Sequence, residues 1–306
     1  MFIGAIPMGL ATIVNSFALM LPSDKYPWAP HTAFVLWWIE VFLMTFSVLV
    51  VPFFMATKQT HSMEKMLAVW LLPIVPAAVT AGSGGVVAGV LDENLANLVV
   101  ISSYVIWGMG VPLAVCIISV YFSRLAFHSL PPPELLISVY LPLGPLGQGA
   151  FGIMTLGTVA AKIFPTVYPE LTMLGPIAEG LGLIIGAIMW GFGLFWLVQA
   201  CAQTCYGMIK HEVRFNMGWW ACTFPLGVYA LATNTLGKIL GAPFFKVLGS
   251  IYTVCLFLIW LFVFTRTVLG ALSGALFVDP SLATPALATI EHESTSTSEQ
   301  SSLVQI

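Results

Sequence analysis

Charged side chains are scarce in this 306-residue sequence. Lys, Arg, Asp and Glu make up 8% of the chain, whereas hydrophobic residues make up 59%. Soluble proteins carry about 25% charged residues, so this chain lacks the polar surface that a soluble fold needs. The net charge of −3 also argues against a basic surface for nucleic acid. The composition therefore predicts a protein embedded in a lipid bilayer, with no nucleic-acid partner.

Residues that build metal and haem sites are also few. The five cysteines form no CxxC pair and lie in or beside apolar segments, which is typical of small packing residues. The five histidines lie at segment ends, in loops or near the C-terminus, so none is placed to ligate a haem iron between helices. His and carboxylates do not cluster at metal-site spacing either. We therefore expect no metal, no cofactor and no enzymatic activity.

What the chain does have is a series of long apolar segments. A bilayer is crossed by about 20 apolar residues in a helix, which predicts an all-α integral membrane protein with eight transmembrane helices in four hairpins. The transmembrane domain is predicted over residues 1–276, and the Ser/Thr-rich, acidic residues 277–306 predict a disordered cytoplasmic tail. The segments, named A to H, cover residues 1–22, 31–55, 66–91, 97–123, 135–161, 173–200, 217–241 and 246–276.

The placement of basic residues predicts the orientation. Cytoplasmic loops of membrane proteins carry an excess of Lys and Arg. Six basic residues belong to the loops B–C, D–E and F–G or to the end of H, and four belong to the opposite side. This distribution predicts that both termini are cytoplasmic. The six are Lys58, Lys65, Arg124, Lys210, Arg214 and Arg266, and the four are Lys25, Lys162, Lys238 and Lys246.

Segments A, C, E and G each have proline and glycine together in the middle of the apolar run, a feature that their partners mostly lack, with segment D (Gly108, Gly110, Pro112) as a partial exception. Backbone groups freed by proline are tolerated at membrane depth only where protein buries them or a water-filled cavity solvates them. The alternation therefore predicts four kinked inner helices around a central pore, with B, D, F and H outside. The predicted helix kinks are Pro7, Pro73, Pro76, Pro142, Pro145 and Pro225.

Polar side chains in the four inner segments are uncharged. Proton pumps and cation carriers usually keep an acidic residue or His at mid-membrane, so a neutral pore favours a small anion. Backbone N–H groups and helix-end dipoles would attract that anion without binding it tightly. The candidate pore-lining residues are Asn15, Thr80, Ser83, Gln148, Thr223 and Asn234, with Thr155 and Thr233 on the same segments.

Three charged residues lie in or near apolar segments, and each could have either a structural or a functional role. Glu40 in segment B either faces a crevice or pairs with a polar neighbour. Glu179 occupies a helix first turn, where the helix dipole stabilises a carboxylate. Lys238 lies near the end of segment G, where it either extends to the membrane surface or draws anions toward the pore mouth.

Four motifs carry a family resemblance. IPMGLATIVN (6–15), SYVIWGMGVPLA (103–114), PLGPLGQGAFG (142–152) and NMGWWACTFPLGVYALAT (216–233) resemble the fungal sulfite efflux pumps. Those pumps belong to the tellurite-resistance/dicarboxylate transporter superfamily, with the plant slow anion channels and yeast malate permease. The resemblance spans residues 1–276.

The resemblance implies ten helices in five hairpins, with the odd-numbered helices kinked around a central pore. Segments A to H would then be helices three to ten, and the first hairpin is expected to be lacking. The resemblance also implies a pore-occluding aromatic gate at Phe224. Trimers among relatives imply a homo-oligomer.

The resemblance implies export of sulfite or bisulfite across the plasma membrane. A malate or C4-dicarboxylate transporter is the alternative, although a dicarboxylate favours Lys or Arg in the pore, and none lies squarely inside an inner segment. An alternative of another class is a truncated non-transporting or structural membrane protein.

Overall fold

The computed structural model describes residues 2–210, 213 and 215–274, which form helices and no strand. The all-α prediction is confirmed. The predicted tail over 277–306 and Arg214 lie outside the described residues. The α-helices are α1 (Ala5–Met20), α2 (Ala29–Thr45), α3 (Val51–Lys58), α4 (Val75–Ala88), α5 (Glu93–His128), α6 (Leu143–Val167), α7 (Leu174–Lys210), α8 (Thr223–Ile239) and α9 (Pro243–Leu272).

Six helical stretches of the described residues are long and apolar enough to cross a membrane. The chain is an integral membrane protein on this evidence, whereas the count of eight spans stays a prediction because α4 and α8 are short. The six stretches are Phe2–Met20, Ala29–Lys58, Glu93–His128, Pro133–Val167, Leu174–Lys210 and Pro243–Leu272.

Each helix of segments A, C, E and G begins in the same way, with a short 3₁₀ helix that leads into the α-helix. Because a 3₁₀ helix rises about 2.0 Å per residue against 1.5 Å in an α-helix, these leaders extend the reach of α4 and α8. The leaders are Phe2–Gly4, Ala68–Leu71, Pro133–Tyr140 and Met217–Cys222.

The prolines predicted as kinks lie at these junctions. Pro76 is the second residue of α4, and Pro7 and Pro225 are the third residues of α1 and α8. Proline is tolerated in a first turn because its missing N–H would have no intrahelical partner there. The prolines therefore mark where each α-helix starts. By contrast, Pro112 and Pro165 lie inside α5 and α6.

The helices α1, α4, α6 and α8 form an arc, in which each packs against the next. Small residues bring them close: a β-carbon at Gly147 would lie 2.8 Å from the backbone N of Tyr229 on α8, and one at Gly152 would lie 3.2 Å from Cα of Gly82 on α4. Each arc helix also packs against the helix that follows it in sequence. In the sequence, one outer helical segment lies between each arc helix and the next. The four arc helices therefore run in the same direction.

The remaining helices cover the outside of the arc. The helix α9 buries only Gly249 and Val263 of its 30 residues. Most of its other large apolar side chains are exposed, whereas Phe245, Leu248, Tyr252, Leu256 and Ile259 are half-buried.

Candidate functional site

The arc encloses one side of a cavity of about 1460 Å³. Its walls are mostly apolar, and α7 and α9 contribute to them. The lining residues include Met8, Ala11, Thr12, Asn15 and Leu19 of α1; Val79, Gly85 and Val86 of α4; Gln148, Phe151, Thr155, Thr158 and Val159 of α6; Glu179 of α7; Thr223, Phe224, Gly227, Val228, Leu231, Asn234, Thr235 and Lys238 of α8; and Thr253, Leu256, Phe257 and Trp260 of α9.

Four of the candidate pore-lining residues meet in this cavity. Asn15, Gln148, Thr223 and Asn234 line it from three different helices, and Thr155 lines it as well. Gln148 is 4% exposed, so its amide is almost entirely enclosed. The arrangement supplies neutral hydrogen-bond donors to the cavity, which suits a small anion that must also leave again.

Thr80, Ser83 and Thr233 are placed elsewhere. All three are fully buried, and none lines the cavity. On α4 the cavity is lined by Val79 and Val86, which are seven residues apart and so share a helix face. Thr80 lies instead against α2, where its backbone carbonyl accepts a hydrogen bond from Trp37 Nε1, and Ser83 is buried close to the lining face without reaching the cavity.

Two aromatic side chains that line the cavity, Phe224 and Phe151, pack closely against neighbouring inner helices. Phe224 lies against α6, since a β-carbon at Gly144 would lie 3.5 Å from Cε1 of its ring. Phe151 and Gln148 lie against α4, since a β-carbon at Gly82 would lie 3.4 Å from Cδ1 of Phe151 and 2.7 Å from Nε2 of Gln148. An aromatic ring in a narrow apolar passage can block it both by size and by excluding water.

Helix N-termini add to the electrostatics at the Phe224 level. Thr223 and Phe224 are the first two residues of α8, and Leu143 and Gly144 are the first two of α6. The N-terminal end of a helix carries a partial positive charge. Two such ends therefore meet beside the ring of Phe224.

Two charged side chains line the cavity, Glu179 of α7 and Lys238 of α8, and both are exposed. Glu179 and the four α9 side chains Thr253, Leu256, Phe257 and Trp260 belong to segments that the Pro/Gly alternation assigns to the outside. The four inner helices form an arc and do not surround the cavity alone, so the neighbouring helices also reach it. Glu179 was predicted in a helix first turn, but α7 begins at Leu174, so Glu179 lies in the second turn. No sequence signal marks the α9 positions, because apolar residues of lipid-facing and cavity-facing helices look alike.

The sequence is similar to one known protein family and to several curated proteins. The model of the voltage-dependent anion channel family matches residues 1–268. The sulfite efflux pumps of Arthroderma benhamiae and Trichophyton rubrum are each 44% identical over 90% of this chain and 73% of their own length. The malic acid transport protein of Schizosaccharomyces pombe is 21% identical over 85% of this chain and 60% of its own length. No solved structure matches the chain. All three relatives are named as pumps or transport proteins, which agrees with the expectation of a non-enzymatic protein.

Proposed function

Because the chain belongs to the voltage-dependent anion channel family, we propose that it transports a small anion and exports sulfite or bisulfite through the cavity between α1, α4, α6 and α8. The identity of 44% with two sulfite efflux pumps is the observation that carries the choice of anion. The uncharged hydrogen-bonding side chains of the inner helices support it, since a weakly held anion leaves quickly.

Phe224 is proposed as the gate of this path. Its ring stands at the N-terminal ends of α6 and α8 and against Gly144. An anion would gather at these helix ends and pass when the ring swings away. The amide of Gln148 and the side chains of Asn15, Thr223 and Asn234 would then donate hydrogen bonds along the cavity.

Malate transport is the second candidate, favoured by the relative in Schizosaccharomyces pombe. A dicarboxylate is best recognised by two cationic groups or a bidentate arginine. Among the described residues the cavity is lined by a single cation, Lys238. This charge pattern favours the small anion over the dicarboxylate.

The proposal also includes where and how the protein acts. An exporter belongs in the plasma membrane, with both termini in the cytoplasm according to the distribution of Lys and Arg. A homo-oligomer, a trimer as in relatives of the family, is part of the same proposal.

The test is complementation in fungal cells that lack their own sulfite exporter. Cells that produce this chain should tolerate added sulfite and release it faster than cells with an empty vector. Malate uptake is measured in the same cells. Malate uptake without sulfite release would replace the proposal with the dicarboxylate transporter, and the lack of both at normal protein levels in the membrane would refute it.

A further inference from the structure

Glu40 of α2 is fully buried, and neither carboxyl oxygen has a hydrogen-bond partner. An ionised carboxylate without a partner is very costly to bury, because the protein interior cannot replace its hydration. Glu40 is therefore protonated in the conformation that the structure describes. Glu40 does not line the cavity and has no part in the proposed path of the anion.

The helices around Glu40 offer no cation. The helix packs against α1, α4 and the π-helical turn Phe46–Val50, and none of these three contains an ionisable side chain. On α2 itself, His31 lies nine residues earlier, more than two turns away. On the nearby helix α5 the hydroxyl of Tyr104 is buried and also lacks a partner.

Other buried polar groups lie on α4 and α5. The hydroxyl of Thr80 on α4 lies beside the Glu40 carboxyl, and it is buried without a standard hydrogen bond. The hydroxyls of Ser83 on α4 and Ser103 on α5 are likewise buried and unpartnered. Buried polar groups are normally hydrogen-bonded. The unpartnered hydroxyl of Thr80, next to a protonated carboxyl, is thus able to relay its proton.

Two hydrogen bonds, one on either side of Glu40 in the sequence, connect the stretch from α2 to the π-helical turn with the backbone of α4 and of the residues just before it. Trp37 Nε1 donates to the carbonyl oxygen of Thr80 at 2.9 Å, and Ser47 Oγ donates to that of Pro73 at 3.1 Å. Ser47 lies in the π-helical turn Phe46–Val50. π-helical turns are rare in proteins overall, but those that occur are often found at functional sites. Glu40 is therefore placed between the two contacts that fix α4.

The opposite side of α4 faces the cavity. Gly82 of α4 packs against Gln148 and Phe151 of α6, two of the residues that line the cavity. A movement of α4 away from α6 would widen the cavity beside these two side chains. The position of α4 thus links the surroundings of Glu40 to the path of the anion.

We propose that Glu40 is a proton-binding site that controls the position of α4, so that anion flux depends on pH. The inference rests on the proposed transport function. The protonated carboxyl stabilises the narrow arrangement described here. When the proton leaves to water, the charged carboxylate cannot stay unpaired against Thr80, so α2 and α4 separate and the cavity widens at Gly82. One proton is bound or released per molecule, and no other bond changes.

Purified protein in liposomes loaded with labelled sulfite provides the first test. Flux of the wild-type protein should rise with pH, by up to about tenfold per pH unit when one proton is linked to the change. Glu40→Gln mimics the protonated acid and should show the low-pH flux at every pH. The ratio of variant to wild-type flux cancels the conversion of bisulfite to sulfite, which affects both proteins equally. Glu170→Gln, in an exposed loop position, is the matched control and should follow the wild type.

Infrared spectroscopy provides a second readout that does not require transport. The wild-type protein should show a band of a protonated, non-hydrogen-bonded carboxyl group that disappears as pH rises, and Glu40→Gln should lack this band. A constant flux ratio across the pH range, or a band that stays unchanged at high pH or persists in Glu40→Gln, would overturn the inference. Absence of sulfite flux at every pH would instead refute the proposed function, while the infrared band would still decide whether Glu40 binds and releases a proton. If Glu40→Gln does not fold, Glu40→Asp should shift the pH at which the band disappears.

Discussion

Phe224 on α8 lies against Gly144 on α6. A β-carbon placed on Gly144 would lie 3.5 Å from Cε1 of the Phe224 ring. The contact joins the first turns of two neighbouring inner helices. It is possible because glycine has no side chain to hold the ring away. A gate formed in this way depends on one side chain and is therefore easy to test.

Phe224→Ala should increase anion flux in liposomes, because removal of the ring opens the passage and lets water enter. An increase of about tenfold would correspond to lowering the barrier by about 1.4 kcal/mol. Phe127→Ala is the matched control, since Phe127 is 83% exposed at the end of α5. Equal flux in Phe224→Ala and the control would remove Phe224 from the gate.

Gly82→Ala should reduce flux. The new methyl group would lie 2.7 Å from Nε2 of Gln148, so the amide must move or α4 and α6 must separate. Gly108→Ala provides the control, because a β-carbon there meets nothing within 4 Å. Both variants also gain helix propensity of about 1 kcal/mol, so thermal unfolding in detergent shows whether the loss of flux is local. Normal flux in Gly82→Ala would contradict a tight passage at this level.

Gln148→Leu should decrease flux while the protein remains folded. A hydrogen bond to a charged group contributes about 1.5–3 kcal/mol, which corresponds to roughly 10- to 100-fold in rate. The leucine keeps the volume but cannot donate to an anion. Gln59→Leu, at an exposed position, is the control. Unchanged flux with unchanged expression would assign Gln148 to packing alone.

The sequence predicts the framework well because the framework rests on strong local signals. Pro7, Pro142 and Pro225 mark the starts of inner helices, as their chemistry requires. Asn15 and Gln148 are polar residues in those helices, and the structure places both at the cavity.

The sequence does not predict which side of α4 faces the cavity. Its sequence VPAAVTAGSGGVVA is small or apolar on every side, so no hydrophobic stripe distinguishes the cavity face from the packed face. Thr80 was therefore expected at the cavity, whereas it lies against the outer helices. The surroundings of Glu40 could not be predicted either. Its neighbours in sequence are apolar, whereas in the structure the Thr80 side chain lies beside its carboxyl and Trp37 donates a hydrogen bond to the Thr80 carbonyl.

Arg124→Ala should destabilise the end of the fold at which α5 finishes. The Arg124 side chain is 4% exposed, and its guanidinium donates to the carbonyl oxygens of Glu64 and Ser129. It thereby joins the loop before α4 to the end of α5. Loss of these charge-assisted hydrogen bonds should lower the free energy of unfolding by about 2–5 kcal/mol.

Thermal unfolding in detergent measures this effect. Arg124→Lys should recover only part of the stability, because an ammonium group cannot reproduce the planar arrangement of donors. Lys58→Ala, an exposed change on the same side, should have little effect. Equal unfolding temperatures for Arg124→Ala and Lys58→Ala would contradict the structural role.

Lys238→Gln should lower flux at low ionic strength and have little effect at high ionic strength. Lys238 lines the cavity and is exposed, so its charge raises the local anion concentration without holding an anion in a closed site. Salt screens such a charge over about 10 Å at 0.1 M. Flux is therefore measured over a series of salt concentrations with an impermeant electrolyte. Lys25→Gln, an exposed change in the loop between α1 and α2, is the control. A loss of flux in Lys238→Gln that persists unchanged at high salt would mean that Lys238 binds the anion directly, and equal flux in both variants at low salt would exclude any electrostatic role.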